Sequence, residues 1–421
     1  MGRSPPRLVD RDHAPMPDEQ RPPVVGMSAS ANPDIPPPLR IFHGTSLPAA
    51  VDPQLNGRGT AMFRVGIPTL IDKDTTLRVK IHDACGLTCT FCHDEGTPVA
   101  VDNRERQPGQ FRAAGPSGRM SIYAETNGAT FLPASVPADD EFAHALTALG
   151  EALELTQVHL TGGEPTLHPA VAGLTKIAAR AGYQVAMTSN GERGERVIPD
   201  CADAGLHRVN FSIFGTTAAE LAEVQHARYR NPVLAQWKID ALKRSIKACE
   251  THGVKASANI VVPDHTHAPR VHRLLDEYSP QLTVRLLNSL GRGADSIQAI
   301  ERILADRGAV AEAHYITAGV SGARTAYRLP DQRRVYFKQI RPVRLPTTCV
   351  GCRFNNGTDC EEGFYGVRLY YDQTGTFQVG VCIQRMDLCL PLSKFLTSPL
   401  RTEILTLRNA EYNRLAARLA G

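Results

Sequence analysis

Hydrophobic and polar residues follow two alternating patterns between residues 76 and 288. Short runs rich in β-branched and apolar residues predict six strands, at 76–83, 157–163, 184–191, 207–215, 254–263 and 282–288. Apolar residues three and four positions apart predict helices over 139–154, 170–182 and 233–253. Strands that alternate with helices pair in parallel through right-handed crossovers. We therefore expect an α/β fold, a partial (β/α)6 TIM-type barrel, with a small auxiliary domain at its C-terminal side.

The pattern divides the 421-residue chain into regions of different character. Residues 1–40 are rich in proline and charged residues, which predicts a disordered tail. The barrel is expected over 70–310, with a loop or cap insert at 94–135 that is rich in Gly, Pro and Arg. The repeat stops after about residue 310, and five of the ten cysteines lie between 349 and 389. Residues 311–421 are therefore expected to form an auxiliary, metal-organised domain.

Charge and composition exclude two classes of partner. The net charge is only +4 and the two signs are interspersed, so nothing indicates a nucleic-acid surface. No apolar run approaches the ~20 residues that span a membrane, and the N-terminus has no apolar signal segment. We expect a cytoplasmic protein, in which clustered cysteines are typical of metal or redox ligands rather than disulfides.

Three cysteines lie directly after the first predicted strand, in the stretch "CGLTCTFC" that runs from Cys85 to Cys92. A [4Fe–4S] cluster normally takes four thiolates, so Cys85, Cys89 and Cys92 would leave one iron open for a further ligand. A zinc knuckle completed by His93 is the alternative. The stretches 161–165 (TGGEP) and 189–191 follow the next two strands, and barrel strands present their carboxyl ends at one mouth.

The Cys-x3-Cys-x2-Cys spacing, the aromatic Phe91 and the TGGEP turn together resemble the radical S-adenosylmethionine (SAM) superfamily. The resemblance implies that a [4Fe–4S] cluster binds SAM and reductively cleaves it to methionine and a 5′-deoxyadenosyl radical. That radical takes a hydrogen atom from the substrate, so no catalytic residue is needed beyond the cluster. A reducing partner such as flavodoxin or ferredoxin is also implied. The SAM contacts that the resemblance implies are Phe91, Gly162, Gly163, Glu164, Ser212 and Leu290.

Within that superfamily, residues 76–385 are similar to the GTP 3′,8-cyclases of molybdenum-cofactor biosynthesis, in stretches such as "VHLTGGEPTL" and "GLHRVNFSI". The similarity implies a second [4Fe–4S] cluster on Cys349, Cys352 and Cys382. Cys360, in a lengthened loop, is a candidate fourth ligand and Cys389 a second one; a structural zinc site is the alternative. The similarity also implies substrate contacts at Arg78, His159, Thr188 and Arg368.

Three departures from the cyclases favour another substrate. His159 stands where the cyclases carry a phosphate-binding arginine, Asn288 replaces their glutamate, and the C-terminal Gly-Gly is missing. The predicted function is hydrogen abstraction followed by carbon–carbon bond formation or oxidation, on a small molecule of a specialised biosynthetic pathway, with nucleotides among the candidates. The alternatives are a peptide-modifying radical SAM maturase and, in another class, a non-enzymatic zinc-binding interaction protein.

Overall fold

The computed structural model describes residues 40–42, 66–92, 128–356 and 359–420. The chain divides into two units, residues 1–39 and residues 40–421, and the described residues all belong to the second. The predicted tail and residues 94–127 of the predicted insert therefore lie outside the described residues. Among the described segments, every helix is too short or too polar to span a bilayer.

The described residues form one mixed sheet and a set of surrounding helices. The strands are β1 (Arg40–Phe42), β2 (Thr69–Lys73), β3 (Thr76–Lys80), β4 (Gln157–Thr161), β5 (Gln184–Ser189), β6 (Leu206–Ser212), β7 (Lys255–Val262), β8 (Thr283–Asn288), β9 (Val310–Ala318), β10 (Gly322–Arg328), β11 (Arg334–Ile340), β12 (Val367–Tyr371), β13 (Phe377–Gly380) and β14 (Leu390–Pro391). The helices are α1 (Asp140–Leu153), α2 (Val171–Arg180), α3 (Gly194–Asp203), α4 (Ala218–Glu223), α5 (Pro232–Thr251), α6 (Ala268–Glu277), α7 (Gly293–Asp306), α8 (Leu392–Leu396) and α9 (Pro399–Ala420).

The centre of the sheet confirms the predicted barrel strands. Strands β3 to β8 pair in parallel with their sequence neighbours, and at least one α-helix follows each strand. The predicted long helices are confirmed as α1, α2 and α5. Asp139 caps α1 by accepting from Phe142 N at 3.0 Å, and Asn231 caps α5. The α/β, half-barrel fold expected from the sequence is therefore confirmed.

The sheet continues on both sides of these six strands. Beyond β8 it adds β11, β10, β9, β2 and β1, and beyond β3 it adds β12, β13 and β14. Strand β11 is parallel to β8, whereas β9, β10 and β11 pair with one another antiparallel. Strands from residues 310–391 thus belong to the same sheet as the barrel, and a separate auxiliary domain over 311–421 stays a prediction.

Alternation along the parallel strands separates an apolar face from a polar one. On β3 and β4, Leu77, Val79, Val158 and Leu160 have no exposed surface and pack with α1 and α2 residues in the main core. Their neighbours Arg78 and His159 point to the opposite, inward face of the sheet because successive strand residues face opposite sides. The inward face is therefore where polar chemistry is concentrated.

Helix α9 is fastened to the sheet by buried charged groups. Arg341 at the end of β11 and Glu411 form an ion pair, with side chains 2% and 5% exposed. Arg408 donates to the carbonyl oxygens of Asp74 at 2.9 Å and Leu153 at 2.7 Å. These bonds connect the last helix to the loop before β3 and to the end of α1.

Candidate functional site

The turn after β4 packs directly against the backbone that leads into the first cysteine loop. Gly162 has φ +139°, and a Cβ atom there would lie 2.4 Å from the His82 carbonyl oxygen. A Cβ atom on Gly163 would lie 2.2 Å from the carbonyl oxygen of Asp83 and 2.3 Å from that of Ala84. Gly163 N donates to His82 O at 2.9 Å. Glycine is therefore needed at both positions because the turn lies against the backbone of residues 82–84. The contact of these glycines with SAM stays a prediction.

The Glu164 carboxylate ties this turn to the turn after β5. It accepts hydrogen bonds from Ser189 Oγ at 2.7 Å, Thr166 Oγ1 at 2.7 Å and Thr166 N at 3.0 Å, and also from Asn190 N. Burial raises the pKa of Glu164, and these hydrogen bonds oppose that rise. In this structure the carboxylate positions two strand-end turns, and a direct contact between Glu164 and SAM stays a prediction.

The first cysteine loop is held on its other side by residues 224–226. Thr90 N donates to Val224 O at 2.8 Å, and His226 N donates to Thr88 O at 2.9 Å. Thr88 N donates to Gln225 Oε1 at 2.6 Å. The loop therefore has a defined path between the end of β3 and the segment before α5.

Polar N–H groups also reach the sulfur atoms of this loop. Gln225 Nε2 lies 3.5 Å from Cys89 Sγ, and Asn190 Nδ2 lies 3.6 Å from Cys85 Sγ. N–H donors at thiolate sulfurs tune the reduction potential of a bound cluster. Neither residue was among the predicted site residues, although Asn190 lies inside the stretch after β5 that the sequence singles out.

The remaining predicted SAM contacts lie at strand ends near this loop. Phe91 is 45% exposed and its ring lies 5.2 Å from that of Phe214, just after β6. Ser212 is the last residue of β6 and pairs with Asn259 of β7. Leu290 begins a short 3₁₀ turn after β8. Their contacts with SAM stay predictions.

Three of the predicted substrate residues lie side by side on the inward face. Arg78 is the register partner of both Arg368 on β12 and His159 on β4. Thr188 Oγ1 lies 2.9 Å from His159 Nε2, which is also 3.0 Å from Asn210 Nδ2. The structure thus brings together the four residues predicted to contact substrate, while the contact itself stays a prediction.

Four further cations share this inward face and were missed from the sequence: Arg208, Arg285, Arg324 and Lys338. Burial, together with Arg78 and Arg208 and then Arg285 and Lys338, lowers the pKa of His159 well below its ordinary value, so its imidazole is neutral at pH 7. Burial, Arg208 and Arg324 lower the pKa of Arg285 to about 9. These shifts show that the cations are close enough to repel one another.

Two acidic groups act on the inward cations: buried Asp74 interacts electrostatically with Arg78, and Asp72 interacts with Arg324. No carboxylate of the described residues lies within 4.0 Å of the charged nitrogens of Arg78, Arg208, Arg285, Arg324 or Lys338. Arg324 instead packs over the Tyr315 ring at 4.6 Å. Arg208 Nε and Asn259 Oδ1 are among the buried side-chain atoms of the described residues that have no hydrogen-bond partner. A site with this charge balance favours an anionic ligand.

Tyr365 lies between these cations and the second group of cysteines. Arg78 Nη1 donates to Tyr365 O at 2.6 Å, and the Arg78 guanidinium packs 4.5 Å from the Tyr365 ring. Burial alone would raise the pKa of Tyr365, but Lys338 and Arg78 lower it overall. Tyr365 and Arg368 line a cavity with Cys360 and Cys382. The inward face therefore reaches the second group of cysteines.

The second group contains more neighbouring thiols than the three implied by the resemblance. The pKa of Cys349 is raised by burial and by the nearby Cys360 and Cys352, and the pKa of Cys382 by burial and by Cys360 and Cys349. Within the described residues, no three Cys, His, Asp or Glu side chains converge tightly enough to hold one metal ion as they stand. The second group is therefore a set of neighbouring thiols rather than a closed coordination sphere.

The middle of the chain, residues 79–276, matches the model of the Radical SAM superfamily. The chain therefore carries a radical SAM domain, and proteins of this superfamily use a [4Fe–4S] cluster and SAM.

Curated relatives of the chain are named probable GTP 3′,8-cyclases. The relative from Aeropyrum pernix is 26% identical over 304 residues, which are 70% of this chain and 71% of that protein. The relative from Metallosphaera sedula is 23% identical over 66% of this chain and 75% of that protein. The alignment with the relative from Thermococcus kodakarensis covers only 34% of that protein. Among solved structures, Streptococcus suis SuiB bound to S-adenosylmethionine matches with a TM-score of 0.43 and 12% identity, over 80% of this chain and 69% of that one.

Proposed function

We propose that the protein is a radical SAM enzyme that acts on an anionic, phosphate-bearing small molecule. Cys85, Cys89 and Cys92 would hold the [4Fe–4S] cluster, and the inward face of the barrel would hold the substrate. When bound, the cluster supplies the electron that cleaves SAM to methionine and a 5′-deoxyadenosyl radical, which abstracts hydrogen. A carbon–carbon bond-forming or oxidative outcome, and a flavodoxin- or ferredoxin-type reductant, are parts of this proposal.

The observation that carries the substrate class is that the five inward cations outnumber the two acidic groups, Asp72 and Asp74, that act on them. Arginine guanidinium groups bind phosphate oxygens through two parallel hydrogen bonds, so several of them on one face suit a multiply charged phosphate group. Arg285 Nη1 already donates to Asn210 Oδ1 at 3.0 Å, and Ser257 Oγ donates to the same oxygen at 2.6 Å. This network fixes the orientation of Arg285 before a ligand arrives.

Neutral His159 shapes the same site differently from an arginine. It lies within hydrogen-bond distance of Thr188 and Asn210, so its ring is held in one orientation. A neutral imidazole adds no further charge among Arg78, Arg208 and Arg285. The site therefore suits a smaller or differently placed phosphate group than a cyclase with an arginine at this position would hold.

Two measurements test the proposal separately. In anaerobically reconstituted protein with dithionite, 5′-deoxyadenosine should form from SAM, and Cys89→Ala should abolish it. Retained cleavage in Cys89→Ala would contradict the role of the cysteine loop.

The substrate class is tested by thermal unfolding with pyrophosphate or triphosphate. A phosphate-rich ligand at about one hundred times its Kd should stabilise the fold by about 2.7 kcal/mol. Arg285→Gln should remove most of that stabilisation, whereas Arg180→Gln, on the exposed end of α2, should retain it. Equal shifts in both variants would show that the inward cations do not bind the phosphate.

A further inference from the structure

The lengthened loop around Cys360 brings a fourth thiol to the second group of cysteines. We propose that Cys360 is a ligand together with Cys349, Cys352 and Cys382, so that the second cluster has four protein thiolates and no open iron. The resemblance to the cyclases implies three ligands, which would leave one iron open. The inference rests on the proposed function only in taking the bound group to be an iron–sulfur cluster.

A small hydrogen-bond network fixes the backbone of Cys360 relative to that of Cys349. The Arg344 guanidinium donates to the carbonyl oxygen of Cys360 and, through Nε, to Asn355 Oδ1 at 2.8 Å. Asn355 Nδ2 then donates to the carbonyl oxygen of Cys349 at 2.9 Å. One arginine and one asparagine therefore connect both cysteine backbones, and Cys352 N donates to Cys349 O at 3.3 Å to complete a tight turn.

A second contact fixes the same loop to the segment that carries Cys382. Gln384 Nε2 donates to the carbonyl oxygen of Asp359 at 2.7 Å, one residue before Cys360. Cys360 and Cys382 line one cavity of about 40 Å³, together with Glu362, Tyr365 and Arg368. The cavity supplies room beside the thiols, and the loop is held on both sides of it.

Positive side chains stand beside these thiols. Four thiolates bring four negative charges to one place, which is unfavourable unless cations or metal offset them. Arg385 Nη1 lies 3.7 Å from Cys352 Sγ, and the Arg344 guanidinium donates to the carbonyl oxygen of Cys360. The residues present therefore fit a four-thiolate cluster.

Cys389 is the other cysteine near this group; it is half-buried, and its sulfur contacts Met386. Cys389 Sγ lies 4.0 Å from Met386 Sδ, and a Cβ atom on Gly380 would lie 2.8 Å from it. We therefore place Cys389, a neighbouring half-buried thiol, outside the ligand set, and it serves as a matched control.

Four ligands change how the substrate can be held. When every iron has a protein thiolate, the substrate has no iron to bind, and its affinity must come from side chains such as Arg78, Arg285 and Arg368. The second cluster then lies beside the substrate, across the cavity that Tyr365 lines. This arrangement distinguishes the protein from an enzyme whose second cluster binds the substrate at an open iron.

The test uses full-length protein in which Cys85, Cys89 and Cys92 are all replaced by alanine, so that only the second cluster can form. Anaerobic reconstitution should give about four irons per chain. After reduction, the electron paramagnetic resonance spectrum should be unchanged by cyanide, which binds an open iron. Adding Cys360→Ala should make the spectrum sensitive to cyanide or lower the iron content by about one per chain, whereas adding Cys389→Ala should do neither.

Three outcomes would overturn the assignment: cyanide sensitivity with Cys360 intact, no effect of Cys360→Ala on spectrum or iron, or zinc bound in place of iron. Circular dichroism of each variant shows that the fold is intact. A failure of the proposed function would look different from a failure of this assignment. If the unmodified chain did not cleave SAM, the triple alanine variant would still bind its four irons.

Discussion

Gly163 offers the sharpest test of how the first cysteine loop is positioned. A Cβ atom at this residue would lie 2.2 Å and 2.3 Å from the carbonyl oxygens of Asp83 and Ala84, immediately before Cys85. Both obstacles are backbone atoms, so a rotamer change cannot relieve the overlap. To restore a contact of about 3.0 Å, the turn or residues 83–84 must move by about 0.8 Å.

The displacement predicts two separate losses in Gly163→Ala. Overpacking at a tight contact typically lowers the free energy of unfolding by about 1–3 kcal/mol. The Glu164 N to Ala84 O bond of 2.8 Å would also lengthen, because it joins the same two segments. A misplacement near 1 Å in a reacting site can reduce the rate about 100-fold, so SAM cleavage should fall by about that factor.

Two assays measure these losses: 5′-deoxyadenosine formation under anaerobic reducing conditions, and urea unfolding. Gly322→Ala is the control, because a Cβ atom at Gly322 would meet its neighbours only at 3.6 Å or more. If Gly163→Ala had the same rate of SAM cleavage and the same unfolding free energy as Gly322→Ala, the turn would not set the position of the cysteine loop.

Three further predictions follow from other contacts. His159 and His168 both have pKa values lowered mainly by burial, that of His168 to about 4, so they stay neutral when folded and take protons when unfolded. The free energy of unfolding should therefore fall as pH drops below 6.5, by up to about 1.4 kcal/mol per pH unit for each group, and less steeply in a variant with glutamine at both positions. Arg341→Ala should lower the free energy of unfolding by about 1–3 kcal/mol, because buried Glu411 loses its ion pair with Arg341 while Gly319 N and Arg414 still contact it; calorimetry showing less than 1 kcal/mol would contradict this. Gln225→Ala should lower the midpoint potential of the first cluster by ~40 mV, since it removes an N–H donor at Cys89 Sγ; an unchanged redox titration would argue against it.

The parallel half of the fold was predictable because each strand is an apolar run followed by a helix. Strands β9, β10 and β11 were missed because they have no helices between them. The stretches "GARTAYR" and "RVYFKQI" contain β-branched and aromatic residues, which are typical of strands. Near residue 310 the sheet therefore continues, but its strands are joined by short turns instead of helices.

The first cysteine loop was predictable as a motif because its chemistry is local in sequence. The inward cations were not predictable, because a single arginine in a strand does not indicate which other cations it lies beside. Only strand register places Arg324 opposite both Lys338 and Tyr315 and brings Arg285 toward Arg208. A basic residue flanked by apolar ones, as in "TVRLL", was the available signal.

Apart from the Gln225 Nε2 contact with Cys89 Sγ, the hydrogen bonds between residues 88–90 and 224–226 use backbone groups, threonine hydroxyls and the Gln225 amide oxygen, so they do not need a cysteine sulfur. Oxygen damage that strips the metal would therefore leave the loop tethered along the same path. The cell could repair such a protein by delivering new iron and sulfide to a template that is already shaped, without degrading and resynthesising the chain.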